Sequence, residues 1–334
     1  MIRLVQLKHS ENGRKVALVE EPALILLEGV GSIYELASMA VKSGKSLESL
    51  ATAQRSTKVI DYDPVYNGNS EWTLLPCFDH PDDPNHCLLS GTGLTHKASA
   101  ENRQKMHDAA DQGSLTDSMK MYQIGVDGGK PSVGTIGAQP EWFYKGNGSI
   151  LRAHNQPLEV PPFGEDGGEE PEVAGIYICG ADGEPFRVGF ATSNEFSDHV
   201  MEKRNYLYLA PSKIRNCSIG PELVVGMDFG NIMGTVQVLR SDQVLWTQEI
   251  KSGEENIVHS LANMEYHHFK YSNHRLPGMA HIHFFGADAF RVGVGMKLQH
   301  NDIMEVNWEG MGRPLKNPVY HSGDVAKYFS IKAL

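Results

Sequence analysis

The chain has 334 residues, a formal net charge of −11, 40% apolar residues and 21% charged residues. This length can hold one large core plus a smaller domain, and the composition is that of an ordinary globular protein. No Lys/Arg cluster is dense enough to hold a phosphate backbone, which excludes nucleic acid as a partner. The longest apolar stretch, Pro22 to Gly29, is far too short to span a bilayer, so no membrane span is expected.

The N-terminus, Met1-Ile-Arg-Leu-Val-Gln-Leu-Lys8, alternates like a strand and lacks the layout of a signal peptide. Cys77, Cys87, Cys179 and Cys217 form no CxxC pattern and read as buried free thiols in a reducing, cytoplasmic setting.

Residues 1–70 read as a small N-terminal α/β domain with its linker. Strands are expected at Arg3–Leu7, Lys15–Val19 and Ala23–Leu27, the first two split by the turn Glu11-Asn12-Gly13-Arg14. Helices follow over Ser32–Ser43, with Ser32 as N-cap, and over Ser46–Gln54. Asp61–Ser70 carries turn residues and little periodicity, which places the linker there.

Residues 71–334 form the expected main domain. Short strand-like runs appear at Trp72–Leu75, Leu88–Leu89, Val173–Cys179, Pro185–Ala191, Gly234–Leu239, Val244–Ile250, His281–Phe285 and Ile303–Trp308. Helical runs are few, chiefly Ser99–Ala110 and Glu255–Phe269. Many strands without βαβα alternation exclude a doubly wound sheet and predict a β-dominated α+β core.

Chemistry is suggested by scattered ionisable residues: Glu141, the pair Glu170-Pro171-Glu172, Glu195, and Lys213 ahead of Ser218-Ile219-Gly220-Pro221, read as a turn. On an extended strand Glu170 and Glu172, two apart, face one side. A third carboxylate converging from the next strand completes an all-oxygen pocket suited to a hard divalent cation, Mg²⁺ or Mn²⁺. Spacing alone favours a plainer alternative, a solvated acidic turn of Glu169, Glu170 and Glu172.

Order and context shift that balance. Glu170-Pro-Glu-Val-Ala-Gly-Ile-Tyr177, Gly189-Phe-Ala-Thr-Ser-Asn-Glu-Phe-Ser-Asp198, Leu207-Tyr-Leu-Ala-Pro-Ser-Lys213 and Cys217-Ser-Ile-Gly-Pro-Glu222 together resemble the fumarylacetoacetate hydrolase superfamily. The resemblance runs from about Leu88 to Pro318 and includes Gly93-Leu94-Thr95 and Glu141-Trp-Phe-Tyr-Lys145. It is most similar to the branch that dehydrates 2-keto-3-deoxy sugar acids. The resemblance implies a mixed β-roll core, a homodimer, and Glu170, Glu172 and Glu195 as metal ligands. The family more often has aspartate at the position of Glu195.

A small anionic 2-keto acid would be the substrate, its charge offset by the metal, Lys145 and Lys213. A metal-held keto acid can lose a C3 proton, after which a 2-keto-3-deoxy acid expels its C4 hydroxyl, whereas a diketo acid is cleaved by water. The family's C–C hydrolases use a lid histidine partnered by a glutamate. In Gly93-Leu-Thr-His-Lys-Ala-Ser-Ala-Glu-Asn-Arg103, Ser99 stands at the histidine's place and Asn102 at its partner's, although a shifted register would bring in His96. This departure favours dehydration over hydrolysis, a hydrolase or decarboxylase of a related diketo acid being the alternative. A sugar-acid binding protein without activity is a third alternative, disfavoured because binding alone requires neither Lys213 nor Glu141.

Lys213 is the candidate base, with pairing to the carboxylates as its alternative role. Glu141 is the candidate acid for the C4 hydroxyl, or else a strand-end carboxylate bonded to backbone. Ser99, Lys145 and Asp288 are candidate substrate contacts, Asp288 because Phe284-Phe-Gly-Ala-Asp288 replaces the family's threonine-rich step. His281 and His283 alternate on a strand without a third soft ligand and read as core histidines.

Overall fold

A computed structural model describes residues 1–101, 116–288 and 297–334. The N-terminal strands are β1 (Ile2–His9), β2 (Gly13–Glu20), β3 (Ala23–Leu27) and β4 (Arg55–Asp61). Next come β5 (Trp72–Leu74), β6 (Cys87–Gly93), β7 (Glu141–Asn147), β8 (Leu151–Arg152) and β9 (Leu158–Val160). The remainder are β10 (Pro171–Cys179), β11 (Pro185–Asn194), β12 (Cys217–Val225), β13 (Ile232–Arg240), β14 (Gln243–Ser252), β15 (Ala280–Phe284), β16 (Ile303–Trp308) and β17 (Leu315–His321). The described α-helices are α1 (Ile33–Ser43), α2 (Leu47–Ala53), α3 (Tyr62–Tyr66), α4 (Asp117–Gly128), α5 (His199–Arg204), α6 (Leu209–Lys213) and α7 (Leu261–Phe269).

The larger sheet has the order β4-β3-β2-β1-β12-β11-β10-β15-β6-β7, with β5 beside β1 and β8 beside β12. The second has the order β14-β13-β16-β17-β9. Most pairs are antiparallel, while β15–β6, β12–β8 and β17–β9 are parallel. This is the expected β-dominated α+β architecture with mixed sheets.

The N-terminal strands bury both faces at period two. Leu4, Val16, Leu18, Ile25 and Leu27 pack in the cluster that includes Ile33 and Leu36 of α1. The intervening Val5, Leu7, Ala17, Val19, Leu24 and Leu26 pack on Tyr62, Val65 and Tyr66 of α3. β1 joins the rest of the chain directly, Ile2 pairing with Val225 and Leu4 with Leu223 of β12.

α1 starts where the sequence predicts, because Ser32 and Glu35 form a reciprocal capping box worth about 1 kcal/mol. It ends at Gly44, whose φ of 64° is the left-handed conformation that glycine adopts without a Cβ clash. Between the two sheets lies a second core of Val173, Phe190, Val224, Ile232, Val236, Ile250, Val306 and Trp308.

Several local expectations need correction. Ser218–Pro221 is no turn but the middle of β12, paired with β11 through Ser193–Ile219 and Ala191–Leu223. The register slips between those pairs, and this irregularity accommodates Pro221, which has no N–H for a regular ladder. β4 was missed because its side chains are mostly exposed and give no apolar signal. The helix expected from Glu255 starts at Leu261, where Ser260 caps it. The helix expected over Ser99–Ala110 runs into residues 102–115, outside the described residues, as does Asn102. All four cysteines are free and buried. No helix among the described residues is long and apolar enough to cross a membrane.

Candidate metal centre and active site

Strand pairing assembles the acidic site. β10 runs antiparallel to β11, with Glu172 opposite Ser193 and Pro171 opposite Asn194, so the start of one strand meets the end of the other. Beyond the last pair, the Glu195 N–H donates to the Glu170 carbonyl at 2.9 Å, and the Asn194 side chain accepts from the Glu170 N–H at 3.1 Å. Glu170, Glu172 and Glu195 thereby converge, one ligand atom from each lying within 4.8 Å of the others. They are 3%, 1% and 0% exposed, which is incompatible with a solvated acidic turn. Among the described residues no other group of three acidic, histidine or cysteine side chains has a metal-binding arrangement.

Two buried lysines face this cluster. The Lys213 ammonium, at the end of α6, donates to both Glu170 oxygens at 2.6 and 2.7 Å and to Glu195 Oε2 at 3.0 Å. It also lies 5.0 Å from the centre of the Phe143 ring. Lys145, on β7, lies 2.8 Å from Glu195 Oε1 and donates to the Phe196 carbonyl at 2.5 Å. Lys145 is fully buried and tied to a carboxylate.

His199, at the first turn of α5, lies 2.9 Å from Glu170 Oε1. Sequence reading missed it, since a single histidine four residues after Glu195 carries no distinctive pattern. Asp198 caps α5 by accepting from Met201 N, and this local device sets the start of the helix.

The electrostatics divide the three acids. Burial alone would raise Glu170, but Lys213 and His199 outweigh it and hold its carboxyl well below the ordinary range. Burial pushes Glu172 well above that range, and the charges of Glu195 and Glu170 add to the effect. Burial raises Glu195 to about 7, Lys145 and Lys213 only partly offsetting it. Burial opposes charge on His199, yet Glu170 outweighs it and raises the histidine.

Two of the three carboxylates therefore retain protons too easily for their setting, the signature of a cluster short of positive charge. A hard divalent cation fits this all-oxygen donor set.

The other predicted positions surround this centre less directly. Glu141 opens β7, is buried, and accepts from the Tyr206 hydroxyl at 3.3 Å. Ser99 is buried on the helical turn after β6. Asp288 accepts from the Lys251 N–H at 3.0 Å. Its charge also raises His96, although burial dominates and keeps that ring below its ordinary value. His281 and His283 are hydrogen-bonded core residues, as expected.

No family model and no curated protein matches this sequence. Solved structures do match. A 2-keto-3-deoxyarabinonate dehydratase superposes with a TM-score of 0.70 at 18% identity, covering 96% of this chain and 100% of that one. The 2-keto-3-deoxy-D-arabinonate dehydratase complexed with magnesium and 2,5-dioxopentanoate gives 0.69 at 18% identity, covering 96% and 99%. A 5-carboxymethyl-2-hydroxymuconate delta-isomerase from Mycobacterium smegmatis gives 0.57 at 13% identity, covering 96% and 100%. Strand order, mixed pairing and these full-length superpositions lead to one statement: the chain has the fold of the fumarylacetoacetate hydrolase superfamily.

Proposed function

We propose that the protein is a metal-dependent hydro-lyase that dehydrates a 2-keto-3-deoxy sugar acid, a pentonate, to 2-oxoglutarate semialdehyde. The observation that carries this reading is the convergence of Glu170, Glu172 and Glu195, all buried, with Lys213 on the same cluster. A similarly folded dehydratase bound to magnesium and 2,5-dioxopentanoate supports it. In this proposal the three glutamates hold Mg²⁺ or Mn²⁺, which when bound supplies Lewis acidity toward the keto and carboxylate oxygens of the substrate.

The chain's own residues do the rest. Lys213, when charged, keeps Glu170 ionised, favours the charged form of Glu195 and holds both aimed at one point. Once neutral, its amine, 5.0 Å from the centre of the Phe143 ring, takes the C3 proton of the substrate. Lys145 secures Glu195 from the other side rather than reaching solvent, so its part is to hold a ligand, with substrate contact falling to Ser99 and Asp288. Glu141, bonded to Tyr206, supplies the proton to the departing C4 hydroxyl. Serine at position 99 leaves the lid without its hydrolytic histidine and favours loss of water over C–C cleavage.

The same proposal includes a homodimer in the cytoplasm and a division of the chain near residue 70. The deciding experiment incubates the Mg²⁺-loaded protein with 2-keto-3-deoxypentonates of both C4 configurations and with an acylpyruvate. Formation of 2-oxoglutarate semialdehyde from a pentonate is expected. Pyruvate release from the acylpyruvate without dehydration would replace the proposal with a hydrolase.

A further inference from the structure

We infer that Thr95 is a positioning residue for the metal site, acting on Glu172 through the single peptide unit that joins Phe285 to Gly286; this rests on the metal-site reading above. The Thr95 hydroxyl donates to the Phe285 carbonyl at 2.8 Å. The N–H of the same peptide, on Gly286, donates to Glu172 Oε2 at 2.7 Å. Thr95 thus fixes the plane of the group that holds the carboxylate. By loading the carbonyl it also polarises the N–H on the opposite side, since hydrogen bonds sharing one amide strengthen each other.

The surroundings are built for this contact. Gly286 has φ of 92°, and a Cβ there would lie 2.1 Å from Thr95 Oγ1 and 3.0 Å from the Thr92 carbonyl, so only glycine permits the approach. Leu94, just before the threonine, is buried with φ of 52°, a left-handed conformation costly for a branched side chain. That conformation turns the chain out of β6 and aims the hydroxyl across at the 285–286 peptide.

The hydroxyl's second partner is His96 Nδ1 at 2.9 Å. A hydroxyl has one proton, and it is used on Phe285, so Nδ1 carries a hydrogen and donates to the oxygen. The Thr95 carbonyl is held in turn by the Val258 N–H at 3.0 Å. Glu172 is anchored at its other end too, its carbonyl accepting from Ser193 Oγ and Trp308 Nε1. With the backbone fixed, the Gly286 contact is left to set where the carboxylate points.

The test is calorimetric titration of Mg²⁺ and Mn²⁺ into the parent and into Thr95→Val, Thr95→Ser and Thr95→Cys. Loss of the hydroxyl in Thr95→Val should weaken metal binding by about tenfold or more, the size seen when outer partners of metal ligands are removed. Thr95→Ser should bind as the parent does. Thr95→Cys, a weaker donor, should fall between them, which keeps the test decisive should the valine variant not fold. The thermal midpoint of the metal-free serine and cysteine variants should stay near the parent's, separating positioning from general loosening. Parent-like affinity in the valine variant, or in the cysteine variant if valine does not fold, overturns the role of Thr95 and leaves the metal site standing. A parent that binds neither metal overturns both.

Discussion

Lowering the pH from 7 to 5 should destabilise this protein through a chain of buried neutral histidines beside the acidic site. Trp142 Nε1 donates to His268 Nδ1 at 3.2 Å, and His268 Nε2 lies 3.0 Å from His281 Nδ1. His281 Nε2 faces Cys179 Sγ at 3.8 Å, and that thiol points to the His274 carbonyl. The indole N–H has only one direction, which makes His268 Nδ1 an acceptor, His268 Nε2 a donor, and His281 Nδ1 an acceptor in turn. A proton added at either acceptor would set two N–H groups against each other. His283 bridges Ser90 and Thr92 at 2.8 and 2.7 Å.

Burial, aided by mutual repulsion within the cluster, lowers His281 and His283 to about 3 and holds His268 well below its ordinary value. The unfolded chain binds these protons near 6.5 while the folded one refuses them, so stability is intact above the unfolded value. It is lost as pH falls from about 6.5 toward about 3. At pH 5 each such histidine removes about 2 kcal/mol, or about 4 kcal/mol for His281 and His283 together. His268 adds to this, and whole domains have only about 5–15 kcal/mol to lose.

Opposing contributions come from Glu172, raised well above the ordinary range, and from Glu195, raised to about 7; both stabilise the metal-free fold as pH falls, Glu195 alone offsetting roughly 2 kcal/mol over the same interval. The assay is urea unfolding at pH 7, 6 and 5, read as the slope of free energy against pH. The parent's slope should be positive below pH 6. In His283→Gln, which keeps an amide able to bond Thr92, it should fall by about 1.4 kcal/mol per pH unit, one proton's worth. Equal slopes for parent and variant would refute the argument, since mere destabilisation lowers all three values without changing the slope.

Glu172→Gln should abolish Mg²⁺ binding by calorimetry while the circular dichroism spectrum stays that of the parent. Because Glu172 and Glu195 are raised in the metal-free site, Mg²⁺ uptake should release protons. Its apparent affinity should therefore rise from pH 6 to pH 8, with binding heats that change with the buffer's ionisation enthalpy. Lys213→Met should slow C3 hydrogen–deuterium exchange in pyruvate by roughly 10²-fold or more while metal affinity changes far less; an unchanged exchange rate would make Lys213 purely structural. Glu222→Ala should cost about 3 kcal/mol in urea unfolding, because this buried carboxylate accepts from Arg3, from Tyr62 and from the Arg313 backbone.

The parts of this protein legible in its sequence are those whose physics is complete within a few residues. The Ser32 cap and Glu35 are three apart, and the helix they start was predicted at its true boundary. β3 and β16 were placed end to end because their apolar character stops at polar or turn residues. The order of Glu141, Glu170, Glu172, Glu195 and Lys213 was likewise readable, and it pointed to the fold the chain adopts. Tertiary structure decided which of those groups touch. Lys213 reaches Glu170 across 43 residues of chain, and the Gly286 amide reaches Glu172 across 114. His199, the buried pairing of Lys145 and the clamped 285–286 peptide were invisible because a single polar residue has no periodicity to betray its partner. β12 was misread for the same reason: a Gly-Pro step looks like a turn until pairing of Ile219 and Leu223 on either side of it with β11 places it inside a strand.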